Sequence, residues 1–414
     1  MALSGVGLAL TTVFLLGFLR PLSIWRHPQV VPTAEALATA LGTDLTGALR
    51  FAIPTLLAFS LFAVALWVAR RIAGPMGLAV VAAGTLLFSL ALIPINPLGA
   101  HDAYYHVGNA RTLWIYGENP LVLSPAVHAD DPFYPNVASW QDFPPAYGPV
   151  WYAISGLFIP FVGDGLWPNV LALKVIAALS LFGTMVLAML IAEPLRPGSA
   201  VAAGILVGWN PLLQWETAGN PHNDVLVGMF ALGAIYAVVR RWWVAVFPLL
   251  ALSVATKYVL VLLAPVLLLW LLRRRDVPRR QVGLSLLLGV ALGIALYLPF
   301  WAGADTFLGF RRQANLISSS PPALLHTLLW SWFPMDGALA ATIMKLVVVP
   351  PFLLGYFLLL RRVRRDGEVT ALIERCFWII FLLLMVVTWW FWPWYLGFLV
   401  PLGALLPGSR PAMV

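Results

Sequence analysis

The chain has 414 residues, of which 61% are hydrophobic and only 10% charged, and its 25 Lys and Arg exceed 17 Asp and Glu for a net charge of +8. A mean hydropathy of +0.89 excludes a soluble globular enzyme, and the cation excess reads as membrane orientation and anionic-lipid contact rather than nucleic-acid binding. With one cysteine, Cys376, no internal disulfide can form.

The apolar runs predict an all-α, polytopic integral membrane protein, a single transmembrane domain over residues 1–414 with roughly 11–13 spanning or re-entrant helices. The first run, 2–19, has no basic stretch before it, which argues for a retained span rather than a cleaved signal peptide. Further spans are expected near 51–69 and 76–95. Arg70 and Arg71 directly follow one of these runs. Arg240 and Arg241, Arg273 to Arg275 with Arg279 and Arg280, and Arg361 and Arg362 with Arg364 and Arg365 follow later ones. The positive-inside rule places all four clusters in the cytoplasm. The run at 76–95 then travels outward and delivers the next segment to the external face of the plasma membrane.

That segment is a long external loop, 94–149, rich in His, Asp, Tyr and Trp where solubility alone would select Lys, Glu and Ser. Asp102 stands at its start, flanked by His101 and followed by Tyr104, Tyr105 and His106; Trp140 and Tyr147 stand near its end. A carboxylate beside aromatic faces suits glycosyl transfer: the acid takes the proton of an attacking hydroxyl and the rings stack on sugars. A plain helix cap would also account for Asp102. His101, Asp102 and His106 form only a weak metal-ligand pattern, so no metal is assigned; a divalent ion is not favoured and no cofactor is expected. Arg111 could meet an anion or pair with Asp102.

Residues 150–162 are apolar but reach only roughly 20 Å at ~1.5 Å per residue, short of a ~30 Å hydrocarbon core, and are read as re-entrant or membrane-embedded, with the short run at 200–214 as the alternative segment that fails to cross. Spans are expected at 170–192, 200–214 and 223–239. Between the last two lies a second polar cluster, with Asn210, Glu216, His222, Asn223 and Asp224. His222, Asn223 and Asp224 would bind a phosphate, sugar hydroxyls or the acceptor, although a helix N-cap alone explains Asp224. The run at 244–272 is broken by Thr256, Lys257 and Tyr258 and flanked by arginines at both ends, so a hairpin with Lys257 at its outer tip keeps both basic ends inside. A lysine there suits a donor phosphate, or snorkels to the interface.

After a span at 283–300, the external loop 301–337 carries Arg311 and Arg312, which break the charge bias; a phosphate head group explains them, and so would two ordinary surface arginines. Spans at 338–360, 374–391 and 394–407 close the chain. The aromatic cluster at 389–395 is mostly an interfacial belt, with Trp394 and Tyr395 aimed at a sugar or polyprenyl head.

The acidic residue followed by tyrosines after an outward span, then Tyr116, Gly117, Glu118, Asn119 and Pro120, then Pro145, Tyr147, Gly148 and Pro149, resembles the GT-C membrane glycosyltransferases. The likeness is closest to the polyprenol-phosphate-mannose-dependent mannosyltransferases of actinobacterial lipoglycan synthesis. Asn210 and Pro211, His222 to Asp224, Ala255 to Tyr258, and Pro393 to Tyr395 fit that family too, so the motifs cover residues 90–400. The resemblance implies a GT-C fold and inverting transfer of a sugar, mannose by family likeness alone, from a polyprenyl-phosphate-linked donor to a glycolipid or polysaccharide acceptor, with Asp102 as base and Lys257, Arg311, Arg312 and His222 meeting the donor phosphate. Two departures stand out: two spans precede the one leading into the acidic loop, and the C-terminal extramembrane domain of many members is missing. A transporter or flippase of polyprenyl-linked lipids is the competing expectation, but no internal repeat is visible.

Overall fold

Apolar runs in hydrocarbon must satisfy every backbone N–H and C=O internally, which leaves helices as the form these sequences take. The computed structural model describes residues 1–29, 40–137, 139–333, 335–363 and 367–406. Arg364 and Arg365 of the last basic cluster, and the final residue of the run at 394–407, lie outside the described residues. Among those described there is no β-strand, only the isolated bridges Ser23 to Ile95 and Ser318 to Trp390.

Seven described helices are long and apolar enough to cross a membrane, so the protein is an all-α polytopic membrane protein. The first three are α1 (Ala2–Leu22), α2 (Leu45–Ala69) and α3 (Pro75–Leu92). A polar amphitheatre comes next, holding α4 (Asp102–Trp114) and the seven-residue α5 (Pro149–Ser155). The brevity of α5 agrees with the expectation that residues 150–162 do not cross. The long α6 (Leu166–Leu195) returns through the core.

The expected span at 200–214 is interrupted. The nine-residue α7 (Ala200–Gly208) reaches only about 13 Å. It gives way at Trp209 to α8 (Pro211–Gly219), started by Asn210, whose side chain accepts from the Leu212 and Leu213 amides. From α8 the chain bends by 115° into α9 (Asp224–Val239). That helix is apolar on every side and packs against α6 and two later helices, so it is buried almost all round.

The broken run at 244–272 folds as the expected hairpin. Its arms are α10 (Val246–Thr256) and α11 (Leu263–Arg273). Their basic ends converge on Asp276, 4.0 Å from Arg241 and 2.7 Å from Arg274, which leaves Lys257 at the opposite, extended tip. Beyond lie α12 (Arg279–Phe300), the short α13 (Leu308–Gln313) and α14 (Pro321–Trp332), the long α15 (Gly337–Val363) and α16 (Val369–Val387), and the nine-residue α17 (Leu396–Ala404). α17 is too short to cross alone. Leu287, Leu298, Leu346, Leu354 and Phe357 on α12 and α15 are exposed, as side chains facing lipid are.

One buried cation organises the approach to the polar region. Lys174, fully buried on α6, donates to the carbonyls of Leu92, Ile93 and Ile95, where α3 ends. A lysine on an otherwise apolar helix thereby caps the segment leading to Asp102.

Candidate active site

Where α3 ends, Asn96 donates to the carbonyls of His27 and Gln29 and accepts from the Tyr104 hydroxyl at 2.9 Å. These bonds fix the start of α4, whose first residue is Asp102. A carboxylate in a first helical turn is favoured by the orphan N–H groups there. It opens into a cavity of about 480 Å³ whose wall comes from four segments distant in sequence, around 98–105, 139–147, 309–316 and 390–395.

Of the residues singled out from sequence, His101, Asp102, Tyr105, Trp140, Tyr147, Trp394 and Tyr395 line this cavity. Tyr104 holds Asn96 instead. His106 is buried behind, with its Nδ1 accepting from the Trp151 indole at 3.2 Å and its ring edge-on to Tyr147 at 5.0 Å. Asn223 is buried, and its side-chain amide nitrogen has no protein partner. Arg111 lies away from Asp102 and is paired with Asp131 at 2.9 Å and Asp164 at 2.6 Å, where it braces the loop.

Directly behind Asp102 lies a charged layer that does not line the cavity. His222 places Nδ1 3.0 Å from the Glu216 carboxylate and Nε2 3.9 Å from that of Asp102, and its ring stacks on the Trp394 indole at 3.9 Å and 12°. Lys257 is paired with Asp224 at 2.6 Å, both buried, and its ammonium sits 4.2 Å from the Tyr395 ring and 5.4 Å from that of Tyr147. This lysine, expected to be available to a phosphate, therefore already carries a carboxylate. The hairpin tip is held against the loop by the Gly148 amide, which donates to the Thr256 carbonyl at 3.0 Å. The approach demands glycine, since a Cβ at 148 would collide with the Ala255 carbonyl.

The two arginines of the loop 301–337 diverge. Arg311 is half-exposed and pairs with Asp305 at 3.1 Å. Arg312 donates to the Asp142 carbonyl at 3.3 Å and covers the Phe143 ring at 5.6 Å, at the cavity rim. Opposite, the Ser318 amide donates to the Trp389 carbonyl and the Phe391 amide to the Ser318 carbonyl, which ties loop to aromatic cluster. Trp140 adopts φ +64°, a left-handed backbone uncommon for a bulky residue, with its ring edge-on to Phe143 and Trp390.

Burial raises the Asp102 carboxyl above its ordinary range, opposed by His222 and Lys257. The side chain keeps 21% exposure, into the cavity, so water tempers that push. His222 is pulled down by burial, but Glu216, Asp102 and Asp224 outweigh this and hold it above its ordinary value. Burial, then the positive His222 and Lys257, hold His106 well below its own. Among the described residues no group of three or more His, Cys, Asp or Glu gathers as metal ligands.

Several site residues carried little signal in the sequence. Glu216 read only as a neighbour of the second polar cluster, while Phe143, Gln313, Trp390 and Trp392 join the wall through contacts across the fold. Ser139, 3.2 Å from His101 Nδ1, gave none.

Comparison with known proteins identifies relatives. Residues 5–273 match the family described as "Alpha-(1->6)-mannopyranosyltransferase, N-terminal domain". A stretch of 167 residues is 27% identical to "Alpha-(1->6)-mannopyranosyltransferase A" of Corynebacterium glutamicum, covering 40% of this chain and 34% of that protein. The chain thus aligns with about a third of that relative's length. Asp102, His222, Asp224 and Lys257 all fall inside the matched region, whereas the cavity wall at 309–316 and 390–395 falls beyond it.

Proposed function

Because the chain belongs to the Alpha-(1->6)-mannopyranosyltransferase family over residues 5–273, we propose that it transfers a mannosyl group, with inversion, from a polyprenyl-phosphate-linked donor to a hydroxyl of a glycolipid or polysaccharide acceptor, at the external face of the plasma membrane. The observation that carries this reading is a single carboxylate, Asp102, opening into an aromatic-walled cavity of about 480 Å³.

The chemistry rests on that arrangement. The acceptor oxygen attacks the anomeric carbon as Asp102 takes its proton; the bond from that carbon to the phosphate oxygen breaks, and its electron pair leaves with the phosphate. Trp394 and Tyr395 on one side and Tyr147 on the other orient the sugars, so the reacting atoms meet without a search. Arg312 at the rim favours charge developing on the leaving phosphate.

The external face is supported by the order of the helices. α3 runs from Arg70 and Arg71 towards Asp102. α9 runs from Asp224 to Arg240, and α11 from the Lys257 tip to Arg273. The cavity thus sits at the helix ends opposite the arginine clusters.

The test is transfer of radiolabelled mannose from synthetic polyprenyl-phosphate-mannose to membrane glycolipid, by purified protein and its Asp102→Asn variant, with and without chelator. Incorporation reduced about 10²–10⁴-fold in the variant is expected for loss of a general base. Movement of intact polyprenyl-linked lipid across vesicles, undiminished in the variant and without incorporation, would favour transport instead.

A further inference from the structure

Glu216 and His222 lie behind the cavity, and a mechanism that uses Asp102 as base leaves them without a task. Their geometry is specific. Both atoms next to His222 Nδ1, the Glu216 carboxylate at 3.0 Å and its backbone carbonyl at 3.2 Å, are acceptors, so Nδ1 carries hydrogen. The stack on Trp394 fixes the ring plane, and Nε2 is left facing Asp102 at 3.9 Å. His222 is 4% exposed. Resting on the mannosyl-transfer reading, we propose that Glu216 and His222 are positioning residues for Asp102: Glu216 holds the imidazole as a cation, and that cation keeps the Asp102 carboxylate ionised when donor and acceptor fill the cavity.

The need arises from the cavity itself. In the empty site water reaches a fifth of the Asp102 side chain. Substrates displace that water, the surroundings become less polarisable, and a lone carboxylate there would take up a proton and cease to be a base. A fixed cation 3.9 Å away opposes this, and the opposition strengthens as the dielectric falls. The other charges facing His222 do not substitute for it. On α9, Asp224 is occupied by Lys257 of the hairpin tip at 2.6 Å. On α4, His106 is held neutral by burial, and His101 lies on the cavity wall beside Ser139. Tyr147 and Tyr395, from the loop and the C-terminal aromatic cluster, are pushed above their usual range by burial and stay uncharged. Glu216 on α8 is the acidic partner aimed at Nδ1.

The sign is definite. An imidazolium favours the ionised carboxylate, so its removal raises the pH at which Asp102 protonates. In mannosyl transfer, His222→Gln is expected to move the acid limb of the kcat profile up by about 1 pH unit, with kcat recovering towards wild type at alkaline pH and donor KM within about twofold. A merely structural role would lower activity at every pH, and a phosphate-binding role would raise donor KM; either result overturns the proposal.

A second measurement needs no turnover. Histidine-labelled NMR in nanodiscs, with His222→Gln to assign the resonance, tracks the His222 titration directly. Its midpoint is expected to fall by about 1 unit in Glu216→Gln, and to fall also in Asp102→Asn. An unchanged midpoint in both overturns the proposal whether or not sugar is transferred. A shifted midpoint in a protein that transfers no mannose would instead overturn the mannosyl reading while upholding the charge coupling.

Discussion

At the scale of single residues, the site is a set of charges each answered by one partner. Lys257 with Asp224 is the tightest case, both buried and 2.6 Å apart between two tyrosine rings. Removing one member leaves the other as an uncompensated buried charge, whereas removing both need cost little. Lys257→Met is expected to destabilise the protein by about 3–5 kcal/mol, and Lys257→Met with Asp224→Asn to recover most of that, read by thermal unfolding in detergent. A lysine waiting free for an anion would show no such rescue. Asp102 and Lys257 were legible as residues because a carboxylate or ammonium beside apolar spans is expensive unless used. The pairing of Lys257 with Asp224 was not, because a partner 33 positions away leaves no periodic trace, and that of Glu216 with His222, six positions apart, depends on the turn between α8 and α9. Lys174 was missed for a related reason: on a 30-residue apolar helix, its use as a cap for α3 exists only after α6 packs there.

At the scale of elements, backbone approaches matter as much as side chains. Gly148 touches the hairpin tip through one amide hydrogen bond, and there is no space for a Cβ. Gly148→Ala is therefore expected to cost about 1–3 kcal/mol and to reduce transfer by displacing Tyr147, checked by unfolding and by activity on the same preparation. An unaltered melting transition would show that the tip yields freely. The hairpin was readable because arginines bracket a run too long for one span and broken at its middle. The kink at Trp209 and the bend of 115° between α8 and α9 were less so. Residues 200–209 are continuously apolar and the kink comes from Asn210 capping a new helix, a local competition that hydropathy does not register, whereas the bend falls at the polar residues 219–224 that already separate two expected spans, and only its angle was unreadable.

For the whole molecule, the arrangement reduces to an asymmetry: arginine at one end of the bundle, carboxylates and aromatic rings at the other. That predicts a labelling pattern. Cys376 is fully buried and contributes no background. In intact cells Asn315→Cys should react with a membrane-impermeant maleimide, and Arg275→Cys only after permeabilisation, both positions being exposed. The reverse pattern would put the cavity in the cytoplasm. This asymmetry was the most legible property of all, because charge bias is summed over many residues and survives errors in any single span boundary.

The cavity wall draws on residues 98–105 and again on 390–395, so its two sides leave the ribosome almost three hundred positions apart. While the chain is being made, Asp102 lacks the C-terminal wall of its cavity, and His222 lacks the indole of Trp394 on which it stacks. A half-synthesised chain owns the acid but only part of the cavity wall, so on the mannosyl-transfer reading it is inert until its last helices insert.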